Sequence, residues 1–311
     1  MRDMYLTACL MAMLILSSCS SQDARFSFRQ TELGYELTEG GRQVFFYQQT
    51  PKTLTGEYVC NNYLHPLYSL DGDTLTEEFP PDHPYHRGVF WSWHQLFKGS
   101  ANLGDGWINA GISQEVLKVN TSVSEKSAEL SAEVLWKSDS LAGDGPFMKE
   151  NTVITVFPSA NGIRVIDFRI GLTALVDDLM LGGSDDPKGY GGFCIRLDIP
   201  DDMKFVSEGT NILPQEMQVN AGKWMDFSGS FGNSEKINGV AILCSPQNPL
   251  FPSPWILRQK GSMQNPVWPG REKVKIDKDK QLVLKYRLII HNGNTDSVDF
   301  AKLQADYSRE Q

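Results

Sequence analysis

The sequence predicts an all-β protein, a large antiparallel β-supersandwich that ends in a short helix. Between Ala128 and Lys137, apolar and polar residues alternate with a period of two that only Leu135 breaks, as in a half-buried strand. The dipeptide Asn161-Gly162 lies between two apolar runs and is a strong hairpin signal. Strand-like runs recur at close spacing along most of the chain, whereas convincing helical periodicity is confined to residues 296–308.

Each predicted element has a local signal. Residues 33–48 read as two strands around a turn at Glu39-Gly40-Gly41, and the helix begins at an N-cap that is either Asp296 or Ser297. In chain order, the remaining predictions are strands 128–137, 152–157 and 163–170, short segments at Phe205, Ile212, Met217 and Trp224, strands 240–244 and 282–290, and a helix with Phe300, Leu303 and Tyr307 on one face.

Composition is that of a folded globular protein. The 311 residues are 41% hydrophobic and 22% charged, and no composition shift or long linker divides them, so we expect one domain over residues 25–311. The net charge of -9 and the lack of an uninterrupted basic cluster argue against a nucleic-acid partner.

The N-terminus predicts export. Arg2 precedes an apolar run over residues 5–16, which is too short to span a bilayer, and Leu16-Ser17-Ser18-Cys19 resembles a bacterial lipobox. That resemblance implies a signal peptide at 1–18, lipidation of Cys19, a tether at 19–24 and a lipid-anchored protein of the bacterial cell envelope, periplasmic or at the cell surface. The alternative is an ordinary cleaved secretory peptide.

Three cysteines then remain in the folded chain. Cys60, Cys194 and Cys244 are odd in number and form no C-x-x-C metal pattern. Because Cys194 and Cys244 lie in apolar strand-like runs, we expect buried free thiols in preference to a disulfide.

Histidine is concentrated in one stretch of the chain. Four of the five His, namely His65, His83, His86 and His94, fall between positions 65 and 94, beside Asp82 and Arg87. One hypothesis is a metal site in which His83, His86 and His94 bind a divalent ion with Asp82.

Two further interpretations of these histidines stay open. In one, a His is a general acid or base in a sugar site, where Trp91 or Trp93 offers a stacking face and Arg87 holds hydroxyls. In the other, the imidazoles are structural and form hydrogen bonds within a Pro-rich loop.

Three other segments supply candidate site residues. The glycine-rich stretch 188–193, with Lys188 and Tyr190, lets the backbone approach either a ligand or a neighbouring strand. The Pro-rich stretches 246–258 and 265–269 are rim loops whose Trp255, Arg258 and Trp268 either frame a cleft or cap the sandwich. Glu150 is either an inward-facing acid or a solvated residue at the start of a strand.

Several motifs together resemble a known family. Residues 63–67 (YLHPL), 82–88 (DHPYHRG) and 248–258 are similar to an uncharacterised bacterial family often labelled methane oxygenase PmoA-like. The resemblance implies a β-rich lipoprotein or secreted protein found alongside carbohydrate-processing enzymes. The strand pattern also looks like the galactose-mutarotase supersandwich, a group that uses a His acid and a Glu base at a sugar's anomeric carbon. His83-Pro84-Tyr85 is loosely similar to that group's His motif.

Two functional hypotheses follow. The first is an enzyme that acts on a sugar or oligosaccharide by His-assisted acid/base chemistry, through hydrolysis, elimination or epimerisation. The second is a non-catalytic glycan-binding lipoprotein, and either one implies a carbohydrate ligand. The expected catalytic residues are His83, His86, His94 and Glu150, and the expected substrate-binding residues are His65, Arg87, Trp93, Lys188, Tyr190, Trp255 and Arg258.

Overall fold

A computed structural model describes residues 25–141, 143, 145–232 and 236–310. The predicted signal peptide, Cys19 and the tether lie outside these residues. The described strands are β1 Phe26–Gln30, β2 Gly34–Glu39, β3 Arg42–Gln48, β4 Tyr63–Leu67, β5 Val89–Ser92, β6 Gln95–Lys98, β7 Ala101–Gly104, β8 Ile112–Val123, β9 Ala128–Ser138, β10 Met148–Val156, β11 Ile163–Ala174, β12 Leu179–Gly182, β13 Gly192–Ile195, β14 Lys204–Ser207, β15 Thr210–Asn211, β16 Trp224–Gly229, β17 Asn238–Cys244, β18 Trp255–Ile256, β19 Asn265–Pro266, β20 Val274–Ile276 and β21 Leu282–Asn292.

Antiparallel pairing organises these strands into four sheets. The largest has nine strands in the order β15-β14-β16-β17-β21-β11-β10-β9-β8, and the next has six in the order β1-β2-β3-β4-β5-β13. Smaller sheets are formed by β20-β12-β6-β7 and by β18-β19. The predicted all-β, antiparallel class is therefore confirmed.

The core lies between the two large sheets. Phe45 and Leu64 of the six-stranded sheet share one hydrophobic cluster with Ile154 and Phe168 of the nine-stranded sheet. Strand β9 shows why: its residues alternate between buried and partly exposed, so one face of the strand enters the core as the period of two predicted. No helix among the described residues is long and apolar enough to cross a membrane.

Several predicted boundaries move. The C-terminal helix, α1, spans Phe300–Arg309, and its N-cap is Asp299, whose side chain accepts the Lys302 N–H at 2.9 Å. Asp296 and Ser297, the predicted caps, lie instead in a single 3-10 turn just before it. Phe300 and Tyr307 are buried as expected, but Met217 lies outside the strands.

The cysteine prediction is confirmed for the described residues. Cys60, Cys194 and Cys244 are all buried and free. Burial raises the pKa of each of these thiols. They are therefore held in the unreactive thiol form.

Candidate functional site

The motif 82–88 forms a tight loop that leads into β5. His86 N donates to His83 O at 2.9 Å, and Gly88 N donates to Glu77 O at 2.9 Å. Gly88 has a φ of +49°, and a Cβ at this position would lie 1.9 Å from the carbonyl oxygen of Leu64. Only glycine fits here, because the loop closes directly against β4.

Asp82 and His83 form the first carboxylate–imidazole pair. His83 Nδ1 lies 2.7 Å from Asp82 Oδ2, and Arg196 clamps the same carboxylate at 2.8 and 3.1 Å. Burial by itself would raise the pKa of Asp82, but the hydrogen bonds from Arg196 and His83 lower it to about 2. The ionised carboxylate can only accept, so His83 Nδ1 carries the proton of this contact.

His86 lies directly beneath His83. The two rings are stacked at 4°, with centroids 4.7 Å apart, and His86 is only 2% exposed. Burial, followed by the positive charges of His83, Arg196 and Arg87, lowers the pKa of His86 to about 2. His86 is therefore neutral at physiological pH. Its Nδ1 faces Arg196 Nη1 at 3.4 Å, which assigns the ring proton to Nε2.

Asp105 and His94 form a second pair. His94 Nδ1 lies 2.7 Å from Asp105 Oδ2, while Asp105 Oδ1 accepts the backbone N–H groups of Trp107 and Ile108 at 2.9 and 3.3 Å. A carboxylate oxygen accepts, so His94 Nδ1 is the donor of this contact and Nε2 is the other ring nitrogen. That buried Nε2 has no hydrogen-bond partner among the described residues.

Aromatic contacts join the two pairs into one group. Trp107 meets His86 edge-on, with centroids 6.0 Å apart, and stacks on His94 at 5.2 Å and 17°. Tyr85 packs edge-on against His83 and His86, and Tyr190 packs against His94 and Trp107. We name this group the histidine cluster; it comprises Asp82, His83, Tyr85, His86, His94, Asp105, Trp107, Tyr190 and Arg196.

The cluster is reached from solvent through partly exposed rings. The side chain of His83 is 34% exposed and that of His94 is 17% exposed. Tyr85 and Tyr190 are also partly exposed. Burial, together with the negative charge that Tyr85 and Asp186 would contribute, raises the pKa of Tyr190 to about 12. Both tyrosines therefore present neutral hydroxyl groups.

Strand pairing explains why distant segments meet here. β5 and β13 pair directly, with Trp91 opposite Phe193, so the loops at their ends lie side by side. His94 follows β5, Tyr190 precedes β13, and Arg196 follows it. The site is thus built at the edge of the six-stranded sheet.

The glycine-rich stretch approaches neighbouring backbone. A Cβ on Gly189 would lie 2.5 Å from Arg271 N, and one on Gly192 would lie 2.9 Å from Trp268 O. The sequence left open whether these glycines let the backbone approach a ligand or a neighbouring segment, and these distances show close packing on a neighbouring segment. Tyr190 lies between these two glycines, so the same packing fixes the position of its backbone.

Arg258 and Lys188 lie beside the cluster. Arg258 donates to the backbone carbonyls of Gln215 and Glu216 at 2.8 and 3.0 Å, and its positive charge acts on Tyr190. Lys188 Nζ is 3.4 Å from Glu216 Oε1. Both cations are therefore engaged with the 215–216 segment at the border of the site.

Arg87 supports the cluster from inside the protein. It is 1% exposed, donates to the carbonyls of Tyr85 and Trp107 at 3.0 and 3.3 Å, and lies over the Phe90 ring at 4.6 Å. It fixes the backbone of both halves of the cluster. The predicted role in holding substrate hydroxyls does not fit this burial.

Other predicted site residues lie outside the cluster. Trp93 and Trp255 are fully buried, donating to the carbonyls of Trp268 and Gly222. Trp91 is also in the core, so neither tryptophan offers the expected stacking face, and the partly exposed tyrosines of the cluster are Tyr85 and Tyr190. His65 Nδ1 contacts Thr76 Oγ1 at 3.0 Å, and burial lowers the pKa of His65.

Glu150 faces inward but does not join the histidines. It is completely buried, and its carboxylate accepts from Asn62 Nδ2 at 3.0 Å, Trp136 Nε1 at 2.9 Å and Thr152 Oγ1 at 2.7 Å. These donors occupy both oxygens. The geometry assigns Glu150 a structural position in the sandwich.

Metal-ligand geometry differs from the first sequence hypothesis. Among the described residues, no group of three or more His, Cys, Asp or Glu side chains is arranged to hold a metal ion. His83 and His94 instead direct their Nδ1 atoms at separate carboxylates. A carboxylate at Nδ1 orients each imidazole and is compatible with proton transfer at Nε2.

Four members of the cluster were not predicted as site residues from the sequence: Tyr85, Asp105, Trp107 and Arg196. Asp105 and Trp107 flank Gly106, and their proximity to His94 along the chain was a usable signal. Arg196 has no such signal, because it lies 110 residues from His86 in the sequence.

Comparisons with known proteins give one family and several distant structural similarities, of which two follow. A GalM/aldose epimerase homologue from C. elegans is 8% identical, with a TM-score of 0.35, and the match covers 86% of this chain and 98% of that one. A protein described as a kojibiose phosphorylase, from the human microbiome, is 8% identical, with a TM-score of 0.30, and the match covers 91% of this chain and 32% of that one. Similarities at these TM-scores carry no argument about activity.

The family match covers most of the chain. No curated protein sequence matches it. The resemblances to the PmoA-like label and to the galactose-mutarotase supersandwich stay predictions. Residues 34–305 match the family described as a family of unknown function (DUF6807), and the chain therefore belongs to that family.

Proposed function

We propose that this protein is an enzyme that acts on a sugar or oligosaccharide by acid/base chemistry at the histidine cluster. The observation that carries the proposal is the pair of carboxylate–imidazole contacts, Asp82–His83 and Asp105–His94, on one connected set of aromatic rings. A carboxylate at Nδ1 orients an imidazole and stabilises the imidazolium that forms when Nε2 accepts a proton.

His83 is the proposed proton acceptor. It is the more exposed of the two paired histidines, and Arg196 holds its carboxylate partner in the ionised form. His86 is excluded from this role, because a ring with a pKa of about 2 cannot take a proton at neutral pH. His86 acts as a neutral support on which the His83 ring stacks.

The second pair supplies a polar position for a sugar hydroxyl. His94 Nε2 and Trp107 Nε1 are both buried without a partner among the described residues. A substrate hydroxyl that displaced the side chains covering these atoms would give each of them a partner, since a hydroxyl both donates and accepts. Hydrolysis, elimination and epimerisation all need one group to accept a proton and another to return it, so the reaction type stays open.

The carbohydrate class rests on the chemistry of the surface. Tyr85, Tyr190, His83 and His94 are partly exposed, and Arg258 lies beside Tyr190. Apolar faces of pyranose rings pack on aromatic rings, while charged and amide groups bind the hydroxyls. The cell-envelope location of such an enzyme follows from the Leu16–Cys19 motif alone.

The test combines binding and turnover. The purified protein is screened against plant and host glycans, and the best ligand is then used with the variants His83→Gln and His94→Gln. The control is Asp178→Asn, because Asp178 is exposed, pairs with Lys275 and is not part of the histidine cluster. We expect His83→Gln to lose at least about a hundredfold in turnover while it still binds. Equal turnover in His83→Gln and the control would refute the acid/base role.

A non-catalytic glycan-binding lipoprotein is the second candidate. The low pKa of buried His86 favours this candidate, because a ring that stays neutral leaves only two of the three clustered histidines for proton transfer. In that case glycan binding is lost in both His variants of a folded protein, and no turnover is found for the wild type.

The proposed lipid anchor is tested separately. Cys19→Ala removes the thiol that the lipobox-like motif would present for lipidation. We expect the variant to leave the membrane fraction, with Cys60→Ala as the matched cysteine control. A Cys19→Ala protein that still sediments with membranes would exclude the anchor.

A further inference from the structure

A polar cavity lies away from the histidine cluster, between the β2–β3 turn and the β10–β11 turn. Its volume is about 390 Å³, and its walls include Arg25, Arg42, Arg164 and Glu39. Three guanidinium groups thus line a cavity that has one carboxylate, which pairs with Arg25 and Arg164. This surplus of positive charge stands out in a chain whose net charge is -9.

The single carboxylate is already fully engaged. Glu39 Oε1 accepts from Arg25 Nε and from Ser159 N, both at 2.8 Å. Glu39 Oε2 accepts from Arg164 at 3.3 and 3.4 Å. Arg42 therefore has no acidic partner among the described residues, and its one hydrogen bond there is a 3.4 Å contact to the Leu70 carbonyl.

Arg164 carries an unmet hydrogen-bonding group. The residue is 2% exposed, and its Nη1 has no partner among the described residues. Burial lowers the pKa of Arg164, Glu39 opposes that effect, and the nearby charge of Arg42 lowers the pKa further. A buried donor without an acceptor is costly, and so is repulsion between like charges at low dielectric.

We propose that this cavity binds a phosphate-type oxyanion, with Arg42 and Arg164 as the recognising residues and Arg25 at the border. Planar guanidinium groups match tetrahedral oxyanions through paired N–H···O bonds. An oxyanion would offer acceptors to the free donors of Arg42 and Arg164 and cancel their mutual repulsion. Glu39 holds Arg25 and Arg164 in position, but its single negative charge does not neutralise the positive charge of all three arginines.

Two sources would supply this chemistry, free phosphate or the phosphate of a lipid headgroup. Cys19 lies only six residues before Arg25. If the proposed anchor is present, an extended tether of that length keeps the cavity within about 20 Å of a membrane surface. The binding proposal itself does not depend on the anchor or on the histidine cluster.

The test is calorimetric titration of the protein with inorganic phosphate in a chloride buffer of constant ionic strength. We expect Arg42→Gln to weaken phosphate binding about tenfold, the worth of one charge-assisted contact. Arg164→Lys, which keeps the charge but loses the planar fork, should weaken it as well. Arg169→Gln is the control, because Arg169 is an exposed residue on the same strand, β11, that bonds to Gln281 and does not line the cavity.

A parallel arm uses vesicles of phosphatidylglycerol against vesicles of phosphatidylcholine. Binding of either phosphate or phosphatidylglycerol vesicles that depends on Arg42 but not on Arg169 supports the site and identifies its source. The proposal is overturned if the protein binds neither probe, or if Arg42→Gln and Arg169→Gln weaken binding equally.

Discussion

Replacement of His86 by Gln tests whether burial keeps this ring neutral. Burial lowers the pKa of folded His86 to about 2, against an ordinary value of 6.5. Between these values the unfolded chain binds one proton that the folded chain does not. Each pH unit in that window therefore changes the free energy of unfolding by about 1.4 kcal/mol.

The direction of the effect follows from the lowered pKa of a base. The contribution of His86 is complete above pH 6.5 and declines as the pH falls toward 2. From pH 6.5 to pH 4.5 the loss amounts to roughly 2 to 3 kcal/mol, a large share of the roughly 5 to 15 kcal/mol that stabilises a typical domain.

The measurement is urea unfolding of the wild type and His86→Gln at pH 7.5, 6.0 and 5.0. Gln keeps a hydrogen-bonding group near Arg196 but has no titrating ring. We expect the wild type to be the more stable protein at pH 7.5 and its advantage to shrink by about 1.4 kcal/mol per unit below pH 6.5. His86→Asn serves as a second non-titrating variant and should show the same slope. A stability difference that does not change with pH would refute the reasoning.

Two further predictions concern packing. Gly88→Ala places a Cβ 1.9 Å from the Leu64 carbonyl oxygen at positive φ, so it should lower the free energy of unfolding in urea by at least about 2 kcal/mol. Gly40→Ala is the control, because Gly40 is also at positive φ but has open space around it, and it should cost only about 1 kcal/mol. Similar losses in both variants would contradict the steric account. Glu150→Ala removes the acceptor of three buried donors and should lower stability by about 3 kcal/mol or more, and a loss below about 1 kcal/mol would show that Glu150 is not the centre of that network.

The part of the site that the sequence predicted consists of residues that lie close together in the chain. Asp82, His83 and His86 belong to one short loop, so their side chains stay close in any fold that keeps the loop. Their partners come from elsewhere: Arg196 follows β13 and Tyr190 precedes it. Only the pairing of β13 with β5 brings these residues to the histidines, and no local pattern encodes that pairing.

Local patterns likewise determined the strands but not their ends. The alternation in β9 and the Asn161-Gly162 turn depend on residues that are adjacent in the chain, and both are present as predicted. The start of α1 depends on which of several capping residues faces a free backbone N–H, and that residue is Asp299.

The sequence by itself determined the all-β class, the buried thiols and the concentration of histidine in one stretch of the chain. The tertiary structure decided which polar side chains meet. Glu150 is the clearest case, since its strand turns it inward, yet it bonds to Asn62, Trp136 and Thr152 in the sandwich core and not to the histidines. A period of two assigns a side chain to one of two faces, but only the packing of the sheets determines what lies on that face.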